Sequence, residues 1–74
     1  METRKIRLTQ FDDVKEFVNA ASGCDFDIDI FYNRIIVDAK SLLGVLSLDL
    51  TKVLQVSCQG YDSNFEHTLN KFAS

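Results

Sequence analysis

Hydrophobic and polar positions alternate along several short stretches of the chain, and this period of two predicts β-strands. Residues 4–8 alternate charged and aliphatic side chains. Over residues 25–32, Phe26, Ile28, Ile30 and Tyr32 alternate with Asp25, Asp27, Asp29 and Phe31. The pair at 33–34 then favours a turn, because asparagine tolerates a positive φ. Residues 35–37 are the returning strand of a hairpin, and residues 53–59 predict a fourth strand.

Three other stretches carry the period of an amphipathic helix. The first helix has Thr9 as its predicted N-cap and ends at Gly23. Its predicted buried stripe is Phe11, Val14, Phe17, Val18 and Ala21. A short second helix covers residues 41–48, and the last helix starts at Asp62 or Ser63 and continues to the C-terminus. The order β-α-β-β-α-β-α predicts an α+β fold, a four-stranded antiparallel sheet with three helices on one face.

Length and charge restrict the class of protein. Seventy-four residues with 46% hydrophobic side chains predict one small domain spanning residues 1–74. A net charge of −3 argues against direct nucleic-acid binding, which needs a basic face. No apolar run reaches the roughly 18 residues of a membrane span, and none has the form of a signal peptide. We therefore expect a cytoplasmic protein that does not bind membranes.

Candidate metal and redox residues are few. Cys24 and Cys58 form no Cys-x-x-Cys pair, and His67 is the one histidine of the chain. Two buried or half-buried free thiols are a better interpretation than a disulfide or a metal site. Three acidic positions alternate along the second strand: Asp25, Asp27 and Asp29. We expect them to form a solvated sheet face, because alternate strand positions do not converge around an ion. No metal and no cofactor is predicted.

Three segments together resemble HPr, the histidine-containing phosphocarrier of the bacterial sugar phosphotransferase system. Residues 38–48, Asp-Ala-Lys-Ser-Leu-Leu-Gly-Val-Leu-Ser-Leu, are similar to the segment around the regulatory serine of HPr. Residues 32–37 are similar to its hairpin, and residues 59–62, Gln-Gly-Tyr-Asp, to the start of its last helix. The resemblance covers nearly the whole chain and implies the open-faced β-sandwich of that family.

The resemblance fails at the start of the first helix, where the family carries its phosphorylated histidine, followed by arginine and proline. Counting without gaps places Gln10 at the histidine, Asp12 at the arginine and Asp13 at the proline. Glutamine cannot be phosphorylated, and two aspartates would repel a phosphoryl group. The two acids do complement the dipole of the helix. We therefore expect a diverged HPr-like domain that does not carry out histidine phosphotransfer.

The regulatory serine of the family corresponds to Ser41, with Lys40 as a neighbouring cation. In the family this serine is phosphorylated by an ATP-dependent kinase, and the phosphoprotein acts as a corepressor with a transcription regulator. A phosphate at a helix N-terminus meets free N–H groups. The simpler interpretation is that Ser41 is an N-cap worth about 1 kcal/mol. Both interpretations stay open at the level of sequence.

The second helix also contains the predicted partner surface. We expect Val45 and Leu48 to face the core and the other side chains to be exposed. The predicted partner-binding residues are Lys40, Leu42, Leu43, Leu46 and Ser47. Exposed leucines on a small acidic domain favour a protein-binding surface. Alternatively, all of them belong to the core, because eight residues do not fix a helix face by periodicity.

Two functions of different class follow. The first is a non-enzymatic regulatory or protein-interaction domain in sugar phosphotransfer or carbon-catabolite control, which resembles the branch of the family with glutamine at the histidine position. Its implied partners are HPr kinase, a transcription regulator or phosphotransferase-system components. The second is a phosphocarrier that uses an unusual residue, Asp12 or His67. A third outcome is a diverged domain that has kept only the fold.

Overall fold

The computed structural model describes residues 3–74, and its seven elements follow the predicted order β-α-β-β-α-β-α. The strands are β1 (Thr3–Ile6), β2 (Ile28–Tyr32), β3 (Ile35–Asp38) and β4 (Leu54–Cys58). The helices are α1 (Phe11–Ser22), α2 (Leu42–Leu46) and α3 (Ser63–Lys71). The predicted α+β fold is confirmed.

The four strands form one antiparallel sheet in the order β1-β4-β2-β3. Ile30 lies opposite Val56 on one side and Val37 on the other. Because side chains alternate between the two faces of a strand, Ile30 faces the helices while Asp29 and Phe31 lie on the opposite, open face. The sheet is therefore covered by helices on one face only.

The core lies between the sheet and the three helices. Its buried hydrophobic side chains are Ile6, Leu8, Val14, Phe17, Val18, Ala21, Cys24, Ile28, Ile30, Ala39, Val45, Leu48, Leu54, Val56, Phe65 and Leu69. The rings of Phe17 and Phe65 meet at 5.7 Å between centroids and join α1 to α3. Within residues 3–74, none of the helices has the length and apolar character needed to cross a bilayer.

The turn between β2 and β3 and the start of α3 agree with the sequence. Asn33 has a φ of 55°, the left-handed conformation that asparagine tolerates. Asp62 is the N-cap of α3, and its Oδ1 accepts a hydrogen bond of 2.9 Å from the Phe65 N–H. This bond satisfies one of the donors that every helix start leaves free.

Several boundaries differ from the prediction. β1 ends at Ile6, although the alternation continues to the buried Leu8, and β4 is one residue shorter at each end. β2 starts at Ile28, later than predicted. Before the strand begins, Phe26 packs against Gly60: a Cβ on Gly60 would lie only 2.6 Å from the Phe26 ring. Asp25 and Asp27 thus precede the strand and are exposed, whereas Asp29 is half-buried on the open face.

The C-terminal residues were wrongly predicted as helix. α3 ends at Lys71, and the chain then pairs with β1. The Arg7 N–H donates to the Phe72 carbonyl at 2.9 Å, and the Ser74 N–H donates to the Lys5 carbonyl at 3.0 Å. This pairing covers the outer edge of β1, which the sequence pattern alone gave no reason to expect.

Candidate functional site

The N-terminus of α1 is occupied by the chain's own carboxylate. Gln10 rather than Thr9 is the N-cap, which corrects the prediction. Asp13 Oδ2 accepts hydrogen bonds from the Thr9 N–H (3.2 Å), the Thr9 hydroxyl (3.1 Å) and the Gln10 N–H (3.2 Å). The helix start is therefore neutralised locally by an acid, as in a capping box.

Phe11, the first residue of α1, was predicted on the buried stripe of the helix but is 54% exposed. The other four residues of that stripe are buried, as predicted. Phe11 lies at the end of the helix, where the period of 3.6 carries less information about the buried face than in the middle. The Lys15 ammonium lies 5.6 Å from the centre of its ring, a cation–π contact at the surface.

The N-terminus of α2 has a different cap. Ser41 is the N-cap, and its exposed Oγ accepts a 3.1 Å hydrogen bond from the Gly44 N–H. A Cβ on Gly44 would lie 3.1 Å from that Oγ and 3.3 Å from Val37 Cβ, so a glycine here allows both neighbours to approach. The hydroxyl is thus held in place by one backbone donor and is open to solvent.

Lys40 does not direct its charge to the Ser41 hydroxyl. Its Nζ donates a 2.9 Å hydrogen bond to the carbonyl of Cys24, and its backbone N–H donates to Asp38 Oδ1 at 2.9 Å. Lys40 therefore joins the turn after β3 to the loop after α1. Lys40 was predicted as a cation beside Ser41, and its hydrogen bond to the Cys24 carbonyl was not predicted.

The apolar surface of α2 is narrower than predicted. Val45 and Leu48 are buried as expected, and Leu43 is 81% exposed. Leu42 and Leu46, predicted to be exposed, are half-buried and pack against the core. Because Leu42 and Leu46 both contact the core, Leu43 is the one leucine of α2 that is mostly exposed.

The end of α2 is closed by Ser47, the C-cap. Its exposed hydroxyl donates a 2.5 Å hydrogen bond to the Gly44 carbonyl. The two serines of this segment thus bond to the two backbone groups of the same glycine, Ser41 as acceptor and Ser47 as donor. Ser47 remains at the exposed surface predicted for it.

The alternative chemical groups lie elsewhere. His67 is exposed on α3, and Asp12 is exposed in the first turn of α1. Both cysteines are free: Cys24 is buried and Cys58 half-buried, as predicted, and burial raises the pKa of both thiols. Among the residues that the structure describes, no group of three metal-ligating side chains is close enough to hold an ion.

The arginine that lines a depression beside α3 is already paired with a carboxylate. An open depression of about 600 Å³ lies at the end of β4, with Arg4, Cys58, Tyr61 and Glu66 among its lining residues. The Arg4 guanidinium is 2.5 Å from the Glu66 carboxylate and 2.7 Å from the Asn70 side-chain oxygen. A phosphoryl group in this depression would meet an arginine whose charge is neutralised.

Comparisons with known proteins support the fold. No protein-family model and no curated protein matches the chain. The crystal structure of HPr-C-His from Thermoanaerobacter tengcongensis matches with a TM-score of 0.77 and 23% sequence identity, over 96% of this chain and 89% of that one. The phosphocarrier protein HPr from Bacillus anthracis str. Ames matches with a TM-score of 0.68 and 22% identity, over 97% of this chain and 92% of that one. The chain therefore has an HPr-like fold.

Proposed function

We propose that this chain is a non-enzymatic regulatory domain that binds proteins through the surface formed by Ser41, Leu43 and the flanking half-buried leucines of α2. One observation carries the proposal: the two helix starts of an HPr-like fold differ in chemistry. α1 begins with Gln10 and the carboxylate of Asp13, whereas α2 begins with an exposed hydroxyl. This difference supports phosphorylation at Ser41 and argues against it at Gln10.

The protruding Leu43 supports the protein-binding part of the proposal. Leu43 is flanked by Leu42 and Leu46, which are half-buried and pack against the core, so the three leucines form one apolar patch. Such a patch is small, so we expect it to be one part of a larger interface with a polar rim. The partner class that the resemblance suggests is a transcription regulator or another phosphotransferase-system protein in the bacterial cytoplasm.

Phosphorylation of Ser41 is the proposed switch. Its Oγ is exposed and is already within hydrogen-bond distance of the Gly44 N–H. A phosphoryl group on this oxygen would add about two negative charges beside Leu43 and provide further acceptors for the first backbone donors of the helix. The added charge would change the protein-binding surface without requiring the helix to move.

Intact-mass measurement after incubation with HPr kinase and ATP tests this proposal. We expect a gain of one phosphate in the wild type and none in Ser41→Ala. Ser22→Ala is the matched control, because Ser22 is an exposed serine at the end of α1, outside the proposed surface, and its replacement should leave the gain unchanged. A gain that persists in Ser41→Ala, or no gain in a folded wild type, would contradict the phosphorylation switch.

The same measurement separates regulation from phosphate carriage. When the chain is incubated with a phosphorylated donor protein of the phosphotransferase system, we expect no increase in mass, because Gln10 cannot form a phosphoamidate. An increase that disappears in His67→Ala or Asp12→Asn would support a carrier with an unusual phosphorylated residue. That result would overturn the proposed regulatory function.

A further inference from the structure

One edge of the sheet is open, and it belongs to β3. The opposite edge, β1, is paired with the C-terminal residues through the Ile6–Ala73 bridge. Within residues 3–74, no segment pairs with the outer side of β3. Ile35 is 52% exposed and Ile36 is 65% exposed, so this open edge is also apolar. An unprotected apolar edge strand is a template for pairing with another strand.

The register of the hairpin shows which backbone groups point outward. The Ala39 N–H donates to the Ile28 carbonyl at 2.9 Å, so position 39 faces β2. Because backbone groups alternate in direction along an antiparallel pair, Val37 and Ile35 also face β2. The N–H and C=O of Ile36 therefore point away from the sheet, at the centre of the open edge.

The sequence of this edge is complementary to itself when it is read in the opposite direction. It consists of the last turn residue, Arg34, and the four residues of β3, which are Ile35, Ile36, Val37 and Asp38. In an antiparallel pair of two identical strands centred on Ile36, Arg34 of one copy lies opposite Asp38 of the other at both ends. We infer that β3 pairs with β3 of a second copy in this register, joining the two sheets into one eight-stranded sheet.

The proposed register also allows the outward-pointing backbone N–H and C=O groups to form hydrogen bonds. Only positions with outward-pointing groups can exchange ladder hydrogen bonds across the new pair. The central contact places Ile36 opposite Ile36 of the second copy, and both carry outward N–H and C=O groups. A shift by one residue would place outward groups of one copy against inward groups of the other, and it would also separate the opposite charges.

A like-charge pair next to the edge gives a second, independent argument. Asp29 and Asp38 lie directly opposite each other across β2 and β3 on the open face. Like charges in directly opposite positions are destabilising. Among residues 3–74 the ion pairs are Arg4–Glu66 and Lys71–Glu16. Within these residues, neither aspartate is paired with a cation, and Arg34 is not paired with an anion. The second copy's Arg34 would be placed beside this acidic pair and would offset the repulsion.

The interface is small, because it consists of one short strand and its side chains. Stable dimers usually bury at least about 1,200 Å² in total, so we expect association that is concentration-dependent rather than permanent. A closed two-fold pair also uses up both open edges and stops further growth. The expected product is a dimer and not a fibre.

Sedimentation velocity over a range from micromolar to millimolar protein tests the dimer. We expect the wild type to shift from monomer to dimer across this range. Arg34→Glu places like charges at both ends of the strand pair and should weaken association about tenfold or more. Lys52→Glu makes the same change of charge in the exposed loop before β4 and should leave association unchanged. Equal association of Arg34→Glu and the wild type, or a wild type that stays monomeric, would overturn the inference.

A mixing experiment and hydrogen exchange test the register. Asp38→Arg alone should associate as weakly as Arg34→Glu, but an equimolar mixture of the two variants restores opposite charges at both ends and should form heterodimers. Asp38 also accepts a hydrogen bond from the Lys40 N–H, so this variant is first checked for folding by circular dichroism. In the wild type, the Ile36 amide should exchange more slowly as concentration rises. A dimer that leaves Ile36 exchange unchanged uses another surface and contradicts β3 pairing.

Discussion

The N-termini of α1 and α2 are capped by side chains of different chemistry. Every helix start leaves backbone N–H groups without helical partners, together with the positive end of a dipole. At α1 the Asp13 carboxylate accepts from three donors on Thr9 and Gln10. At α2 the neutral Ser41 hydroxyl accepts from one donor, the Gly44 N–H. The start of α1 therefore already holds a carboxylate, whereas the start of α2 holds a neutral hydroxyl.

The largest expected effect concerns Asp13. Asp13→Ala removes the acceptor for two backbone donors and one hydroxyl, and we expect it to lower the free energy of unfolding by about 1–2 kcal/mol. The measurement is urea unfolding at neutral pH, where a smaller midpoint at unchanged slope reports lost stability.

Asp12→Ala is the matched control for this prediction. Asp12 is an exposed acid in the same helical turn, and its contribution is limited to the dipole, about 0.3–1 kcal/mol. If both substitutions destabilise the protein equally, the hydrogen bonds of Asp13 contribute little, and the contrast between the two helix starts is one of charge alone.

The second effect concerns the cap of α2. Ser41→Ala leaves the Gly44 N–H without its acceptor, and we expect a loss of about 1 kcal/mol in the free energy of unfolding. The loss should be smaller than for Asp13→Ala because one donor is involved and water can reach it. The measurement is again urea unfolding, with Ser41→Thr as the variant that retains a hydroxyl. If Ser41→Ala leaves the free energy of unfolding unchanged, water fully replaces the hydroxyl as the acceptor for the Gly44 N–H.

These local motifs explain how much of the fold could be predicted from sequence. The strand before Asn33, the turn at Asn33 and the cap of α3 each depend on residues close together in the chain. The turn was predicted correctly, the strand was predicted to start before Ile28, and Asp62 was one of two predicted caps. Thr9 was wrongly predicted as the cap because propensity favours a hydroxyl. In the structure, Thr9 instead donates its hydroxyl to Asp13.

The contacts that were not predicted join residues distant in sequence. The Lys40 ammonium reaches the Cys24 carbonyl across sixteen residues, and the Ser74 N–H pairs with Lys5 at the other end of the chain. Neither contact has a local pattern, because each depends on how the elements pack. The half-burial of Leu42 and Leu46 was missed for the same reason: the extent of cover depends on the tilt of a short helix on the core.

The smallest expected change in stability comes from adding one carboxylate to each helix start, which compares the two sites directly. Ser41→Asp keeps a good N-cap and adds a negative charge where α2 has no acid in its first turn, so we expect unchanged stability or a gain of a few tenths of a kcal/mol. The gain is limited because the carboxylate of Asp38 lies nearby in the preceding turn.

Gln10→Asp adds the same charge beside Asp12 and Asp13, and repulsion between the three carboxylates should cancel the benefit of a better cap. We therefore expect the Ser41→Asp variant to gain more stability, or lose less, than Gln10→Asp does. The difference should shrink in high salt because both sites are exposed and screened. Equal changes at the two positions would mean that α1 still accepts an additional anion, and the distinction on which the proposed regulatory function depends would be lost.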